Sequence, residues 1–231
     1  SSLAQAIYEG GPVPEEGKGD IAYGTAGFRA RADTLRCVMY RVGCLAALRS
    51  FTQANQNIGV VVTASHNPEA DNGVKIVDPS GGMLEASWEA HATKMANART
   101  PSDVDAVLSA IFKGSDGGVP SVPGLASAKV VVGMDTRGSS PELCGLVKGG
   151  VAACGATCLD LGLSTTPQVH WAVMQLNKGL PHTHGDYHKH LAAAMSDLLG
   201  PERYAALPPL TVDCANGVGA QSMRGLQGAL P

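Results

Sequence analysis

The sequence lacks the features that mark several common classes of protein. It has no apolar run approaching the roughly 20 residues that cross a bilayer, and no basic segment followed by an apolar stretch near its start that would direct secretion. Charged residues make up only 16% of the chain and its net charge is -3, which argues against a strongly basic face for nucleic acid. We therefore expect a protein that binds neither membranes nor nucleic acids.

The cysteines give little support for a metal site or a disulfide framework. The six cysteines lie mostly inside apolar runs, where cysteine behaves as a small buried hydrophobe. Cys154 and Cys158 have no second cysteine pair that would complete a zinc site. Free, reduced thiols are the expected state, and they indicate a cytoplasmic compartment. Because 44% of the residues are hydrophobic, we also expect a sizeable buried core.

The order of the predicted elements is typical of the α/β class. Short β-branched runs predict strands at 58–62, 74–78, 129–135, 157–162 and 209–213. Apolar residues at helical spacing predict helices at 35–49, 85–99, 167–178 and 187–199. This alternation predicts a mixed or largely parallel sheet sandwiched between helices. We expect one domain over residues 1–200, with a surface linker at 114–124, and the first strand and turn of a second, similar domain at 201–231.

One short polar segment carries most of the chemical information. Residues 63–68 read TASHNP and directly follow the predicted buried strand 58–62, at the strand end where open α/β sheets place their ligands. Small neighbours leave the hydroxyl of Ser65 accessible, although a serine alone is a weak nucleophile. On composition alone, an ordinary turn is the alternative interpretation of this segment.

Four segments resemble the phosphoacetylglucosamine mutases, a branch of the phosphohexomutases. They are YGTAGFR at 23–29, TASHNPEADNGVKIVDPSGGML at 63–84, GMDTRGSS at 133–140 and LTVDCANGVGA at 210–220. The D-T-R segment follows the serine loop here, as it does in that branch, whereas it precedes the loop in most phosphohexomutases. The order of the motifs therefore disfavours a phosphoglucomutase or a phosphomannomutase.

The resemblance implies a role for each of four side chains. Ser65 would carry the phosphoryl group, and its phosphate would be one ligand of a Mg²⁺ ion. Lys75 would offset phosphate charge or relay a proton, and Arg29 would hold phosphate oxygens with its planar guanidinium. His66 would donate to the phosphate or take the hydroxyl proton. The plainer alternatives are a solvated Lys75, an Arg29 paired with a carboxylate and a His66 that only caps its loop. We interpret Arg137, in the D-T-R segment, as a structural salt-bridge residue rather than a catalyst.

The implied reaction interconverts N-acetylglucosamine 6-phosphate and 1-phosphate through a sugar 1,6-bisphosphate, a step in UDP-N-acetylglucosamine synthesis. The chain contains no Asp-Gly-Asp-x-Asp-Arg-like loop, which in the family supplies the carboxylates for the metal. The loops that recognise the sugar and clamp its phosphate in the family are not found either. We therefore expect little mutase activity from this chain alone. The alternative to an enzyme domain is a non-catalytic fragment that binds a phosphosugar or a partner weakly. Exposed apolar surface where further domains would dock would discriminate between these two interpretations.

Two further patterns are weak. Residues 182–190 hold four histidines within nine positions, but glycine and polar neighbours favour a solvated connector over 180–190 rather than a metal site. Gly217 and Gly219 make half of a dinucleotide fingerprint, with Ser222 where the third glycine would be. We assign no ligand to either pattern.

Overall fold

A five-stranded mixed sheet lies at the centre of the computed structural model, which describes residues 2–15, 17, 19–113 and 118–230. The strands are β1 (Phe28–Arg31), β2 (Asn57–Val62), β3 (Asp71–Val77), β4 (Lys129–Met134) and β5 (Thr157–Leu163). They lie in the order β1-β3-β2-β4-β5, with β3 antiparallel to β1 and β2, and with β2, β4 and β5 parallel. The predicted α/β class and mixed sheet are confirmed.

Helices cover both faces of this sheet, as predicted. They are α1 (Leu3–Glu9), α2 (Arg36–Thr52), α3 (Ala86–Asn97), α4 (Pro101–Ile111), α5 (Ser140–Ala153), α6 (Thr166–Asn177), α7 (His184–Ala205) and α8 (Gly219–Ala229). Alternate side chains of a strand point to opposite faces. Val60 and Val132 therefore join the larger core with α2 and α5, whereas Val61 and Val131 pack against α6. No helix in the described ranges is both long and apolar enough to span a membrane.

Helices α2 and α5 approach each other closely through two glycines. A Cβ atom on Gly43 would lie 2.1 Å from the carbonyl oxygen of Val147, and one on Gly150 would lie 2.0 Å from that of Tyr40. Both obstacles are backbone atoms, so the helices would have to separate to admit a side chain. The absence of a side chain at these two positions sets the distance between the helices.

We expect Gly150→Ala to lower the free energy of unfolding by about 1–3 kcal/mol, the usual cost of overpacking a core. Gly145 lies on the same helix with open space around its Cβ position, so Gly145→Ala serves as the matched control. The control should be neutral or should stabilise the protein by up to about 1 kcal/mol, because alanine favours helix. Urea unfolding of the two variants checks this. Equal stability of the two would contradict the close approach.

An ion pair between Arg49 and Asp78 joins α2 to the turn after β3. Arg49 Nε and Nη2 donate to the two carboxylate oxygens of Asp78 over 2.9 and 2.7 Å, and Nη2 also donates to Glu85 over 3.1 Å. The guanidinium lies 4.7 Å from the ring centroid of Trp88 on α3. Arg49 is only 4% exposed. The pair is therefore a buried connection between α2, the end of β3 and α3.

Two predictions in the C-terminal part are wrong. Residues 207–214 form no strand, because a β-branched run needs partner strands and none lies beside 209–213 in the described part of the chain. The predicted connector 180–190 is largely helical, since α7 begins at His184. Its start is fixed by a capping box, in which Thr183 Oγ1 accepts from the amide of Asp186 and the Asp186 carboxylate accepts from the amide of Thr183.

Two other predictions about organisation stay open. Residues 114–117 of the predicted linker 114–124 lie outside the described residues. The division into domains at residue 200 stays a prediction. At that position α7 is interrupted, because Gly200 has φ 71° and ψ 163°. Helix α8 follows and contacts α7.

Candidate functional site

A cleft of about 730 Å³ lies where the parallel strands β2, β4 and β5 reach their carboxyl ends. Its walls come from the loops after these three strands, at residues 63–69, 135–138 and 164–167, and from the turn at 214–219 that precedes α8. This edge of an open α/β sheet is where ligands bind. The serine loop therefore lies in the most plausible ligand site that the topology offers.

The Ser65 hydroxyl is exposed and lies beside a second hydroxyl. Ser65 Oγ is 3.2 Å from Thr63 Oγ1, which in turn donates to Asp135 Oδ2 over 2.8 Å. Because the Thr63 proton is directed at the carboxylate, the Ser65 hydroxyl donates to Thr63. The lone pairs of Ser65 Oγ then point away from Thr63, and they are available to a phosphorus atom that enters the cleft.

Asp135 organises the end of β4. Its Oδ1 accepts from the Ser140 hydroxyl over 2.6 Å and from the backbone amide of Arg137 over 3.1 Å. Its Oδ2 accepts from Thr63 and lies 3.3 Å from Arg137 Nε. Asp135 is 8% exposed, and these contacts satisfy both carboxylate oxygens. It is therefore a structural anion that connects the serine loop to the D-T-R segment.

Arg137 fixes the shape of the serine loop through main-chain oxygens. Its Nη1 donates to the carbonyls of Pro68 (2.6 Å) and Asp71 (3.0 Å), and its Nη2 donates to those of Ala64 (2.5 Å) and Asn67 (2.8 Å). The sequence-based interpretation of Arg137 as a salt-bridge residue agrees with its contact to Asp135. Sequence reasoning missed the four loop contacts, which join positions about seventy residues apart.

Lys75 and Arg29 lie on neighbouring strands and neither lines this cleft, whereas Arg29 lines a separate cavity of about 490 Å³. Lys75 is half-buried on β3 opposite Val61, and Arg29 is exposed on β1 opposite Gly73. Burial and the nearby Arg29 charge lower the pKa of Lys75. Within the described ranges neither cation has a hydrogen bond or ion pair, so neither is committed to a carboxylate there. Lys75 lies on β3, the strand that follows the serine loop, and Arg29 lies on β1 opposite Gly73, so the strand pairing brings the two cations close together. The amide of Thr63 donates to the carbonyl of Gly73 over 2.9 Å, which joins the start of the loop to β3.

Among the described residues, His66 has no hydrogen-bond partner and the metal ligands of the site are incomplete. His66 is exposed and makes no hydrogen bond within the described part of the chain, so it does not cap its loop there. Among the described residues, no three His, Cys, Asp or Glu side chains converge as metal ligands. Asp135 is already engaged by Thr63, Ser140 and Arg137. The residues present therefore do not build a Mg²⁺ site by themselves, even if a phosphate on Ser65 provides one ligand.

Comparison with known proteins gives consistent matches. Residues 38–102 and 120–182 match the family described as phosphoglucomutase/phosphomannomutase, α/β/α domain I. Phosphoacetylglucosamine mutase from Sus scrofa is 46% identical over 217 residues, which cover 91% of this chain and 39% of the relative. The Homo sapiens protein of the same name is 45% identical over 215 residues, which cover 90% and 38%. The chain thus spans about 40% of the length of the curated relatives that it matches.

Solved structures give the same result at the level of the fold. Aspergillus fumigatus N-acetylphosphoglucosamine mutase in complex with GlcNAc-6P and magnesium superposes with a TM-score of 0.81 at 40% identity, over 100% of this chain and 42% of that one. A variant of that enzyme in complex with glucose 1,6-bisphosphate gives a TM-score of 0.84 at 41% identity, with the same two coverages.

Proposed function

Because this chain belongs to the phosphoglucomutase/phosphomannomutase family, we propose that it is the phosphoryl-carrying part of a phosphoacetylglucosamine mutase. The complete enzyme would interconvert N-acetylglucosamine 6-phosphate and 1-phosphate through a sugar 1,6-bisphosphate. One observation carries the proposal. The Ser65 hydroxyl is exposed in a cleft at the strand ends, on a loop whose backbone Arg137 holds in one shape.

The proposed transfer needs little covalent chemistry from the protein. The sugar O1 hydroxyl attacks the phosphorus of phosphoserine 65, the bond between phosphorus and Oγ breaks, and the O1 proton leaves to a base. In the second half, after the bisphosphate has turned over in the site, Ser65 Oγ attacks the phosphorus on O6 and gives up its proton to the base. The bond between phosphorus and O6 breaks, and O6 takes up a proton to become a hydroxyl. Catalysis of this type depends on positioning and on neutralising the phosphate charge. The loop contacts of Arg137 provide the positioning, and the two cations Lys75 and Arg29 are suited to offset the charge.

Lys75 is also suited to relay the proton. Its lowered pKa increases the fraction of neutral amine that can accept a proton from a sugar hydroxyl. His66, which is exposed beside Ser65, is the second candidate for this role. A phosphate on Ser65 would be one ligand of Mg²⁺, which would help to neutralise that phosphate. The carboxylate ligands would have to come from outside the described residues, so we route no step through the metal.

The chain also exposes apolar side chains that support its belonging to a larger assembly. Leu198 is 83% exposed, Leu210 84% and Val212 48%, and all three lie in the C-terminal part of the chain. Exposed apolar surface of this kind is suited to contact with further domains. This observation favours the second candidate function for the isolated chain, a fragment that binds a phosphosugar or a partner weakly without turning substrate over.

Mass spectrometry tests the proposed function directly. We expect the chain, incubated with Mg²⁺ and glucose 1,6-bisphosphate, to gain one phosphate on the peptide that contains Ser65. Ser65→Ala should gain none, whereas Ser80→Ala, which changes an exposed serine in a turn, should gain it normally. A second arm adds the remaining part of the Sus scrofa enzyme as a separate polypeptide, in case the site needs its carboxylates. Absence of phosphate on Ser65 in both arms would contradict the proposal.

A further inference from the structure

Two histidines of α7 contact elements that border the Ser65 cleft, namely the loop after β5 for His184 and helices α6 and α8 for His188. His184 and His188 are four residues apart, so they lie on the same face of α7, one turn from each other. His188 is 7% exposed, and both side chains contact other elements of the fold. The four-histidine segment is therefore not the solvated connector that the sequence suggests, and its inward-facing pair requires an explanation.

His184 contacts the wall of the cleft formed by the loop after β5. Its Nε2 lies 2.9 Å from the hydroxyl oxygen of Ser164, which is 1% exposed. The amide of Ser164 donates to the carbonyl of Met134 at the end of β4 over 2.8 Å. This contact therefore connects α7 to the same strand ends that carry the D-T-R segment.

His188 connects α6 to α8, and the hydrogen bonds around it favour its neutral form. The side-chain oxygen of Gln168 accepts from the amide and the hydroxyl of Thr165 over 2.8 and 3.0 Å. The NH₂ group of Gln168 therefore points the other way, where it lies 3.2 Å from both His188 Nε2 and Ser222 Oγ. An NH₂ group can only donate. The contact with Gln168 is therefore a hydrogen bond only when His188 Nε2 accepts, as it does in the neutral ring that carries its proton on Nδ1.

The surroundings of His188 also disfavour its charged form. A Cβ atom on Gly225 would lie 2.3 Å from His188 Cε1, so the ring packs directly against the backbone of α8. The groups that face it are Gln168 on α6, Ser222 on α8, and His184 and Tyr187 on α7 itself. In the described part of the chain no carboxylate pairs with it. Burial accordingly lowers the pKa of His188.

We propose that neutral His188 is a positioning residue that holds α8 and the preceding turn at 214–219 against α6, while His184 joins α7 to the loop after β5. The turn forms one wall of the Ser65 cleft, so His188 controls the width of that cleft. Protonation of His188 would place an N–H donor against the NH₂ group of Gln168, and the state in which α8 is detached would become more populated. The inference depends on the packing of three helices and not on phosphoryl transfer, so it can hold or fail independently of the proposed function.

The sign of the pH dependence follows from the neutral state in the fold. Burial also lowers the pKa of His184, with a smaller contribution from neighbouring His188. A histidine with a lowered pKa in the folded state contributes its full stability above the ordinary pKa of about 6.5. That stability is lost as the pH falls from there through the lowered folded-state pKa, because the detached state then binds more protons.

Hydrogen exchange of the amides in Gly219–Ala229 tests the proposal, after correction for the pH dependence of intrinsic exchange. Between about pH 7.5 and about pH 5.5, we expect protection in the wild-type chain to fall roughly tenfold, which is the size of one or two lost hydrogen bonds. His188→Gln places an amide oxygen where Nε2 accepts and cannot titrate in this range. It should keep the neutral-pH protection at both pH values.

His91→Gln is the matched control, because His91 lies on α3 and also has a pKa lowered by burial. This variant should lose protection of α8 in acid as the wild type does. Unchanged wild-type protection at the two pH values would overturn the proposal, and so would an equal acid loss in His188→Gln. If His188→Gln does not fold, ¹⁵N NMR of the wild-type imidazole decides, since a ring proton on Nε2 at neutral pH would also overturn it.

Discussion

Replacement of Arg137 by methionine is expected to lower the rate at which Ser65 gains phosphate by about 100-fold, the usual cost of displacing a reacting group by about 1 Å. Methionine replaces the aliphatic part of the arginine side chain but removes all four hydrogen bonds to the loop carbonyls of Ala64, Asn67, Pro68 and Asp71. The loop would then sample other shapes, and Ser65 would spend most of its time away from the productive position.

Two comparisons separate this effect from a general loss of structure. Arg137→Lys keeps the charge but cannot reach four carbonyls with a planar fork, so its rate should fall between those of the wild type and Arg137→Met. Arg31→Met is the matched control, because the only ion pair that the Arg31 side chain makes with the described residues is an exposed one with Asp33, and this variant should leave the rate unchanged. The rates of phosphate gain on Ser65 are measured by mass spectrometry at successive times. The assay is run with or without the remaining part of the Sus scrofa enzyme, whichever gives transfer to Ser65. Wild-type rates in a folded Arg137→Met would refute the role of the loop contacts.

Removal of the Arg49 guanidinium is expected to cost about 3–5 kcal/mol of unfolding free energy, the usual result when one partner of a buried ion pair is lost. Arg49→Met would leave the Asp78 carboxylate buried with the backbone amide of Glu85 as its remaining donor. It would also remove the cation that stacks on Trp88. The cost arises mainly from the uncompensated anion, so Arg49→Met with Asp78→Asn should lose less than the two single changes combined.

An exposed pair provides the control for this second prediction. Lys148 on α5 and Asp160 on β5 lie 2.7 Å apart, and their side chains are 41% and 42% exposed. Lys148→Met should cost less than about 1 kcal/mol, because water screens an exposed pair. Urea unfolding of all variants gives the comparison through the transition midpoints at constant slope. Similar losses of unfolding free energy for Arg49→Met and Lys148→Met would contradict the prediction that the buried pair contributes more to stability than the exposed one.

The parts of the fold that were predictable from sequence are those with a strong local pattern. The continuous valine runs of β2 and β4 are buried on both faces, and the helix that starts near Arg36 has regular apolar spacing. Strand β1 has only four residues and no clear alternation, so it is recognisable only through its pairing with β3. The start of α7 could have been found from the spacing of Thr183 and Asp186, which fits a capping box.

The candidate site also has features that could be predicted from the sequence and others that could not. The position of Ser65 at a strand end followed from the order of elements and from the resemblance. The hydrogen bonds of Thr63, Asp135 and Arg137 could not be predicted, because each joins segments that are distant in sequence. The error at 209–213 has the opposite cause. That run has the local pattern of a strand, but a strand also requires neighbours, and the local pattern carries no information about them.

The contacts of Arg137 have a consequence for how freely the serine loop can vary. Every atom that this arginine binds in the loop is a backbone oxygen, which all amino acids have in common. The outline of the loop is therefore largely independent of the side chains at exposed positions such as Glu69 and Ala70. Selection could exchange those side chains to suit a different sugar while the serine stays in place. In a saturation library, we would expect positions 69 and 70 to tolerate far more replacements than position 137.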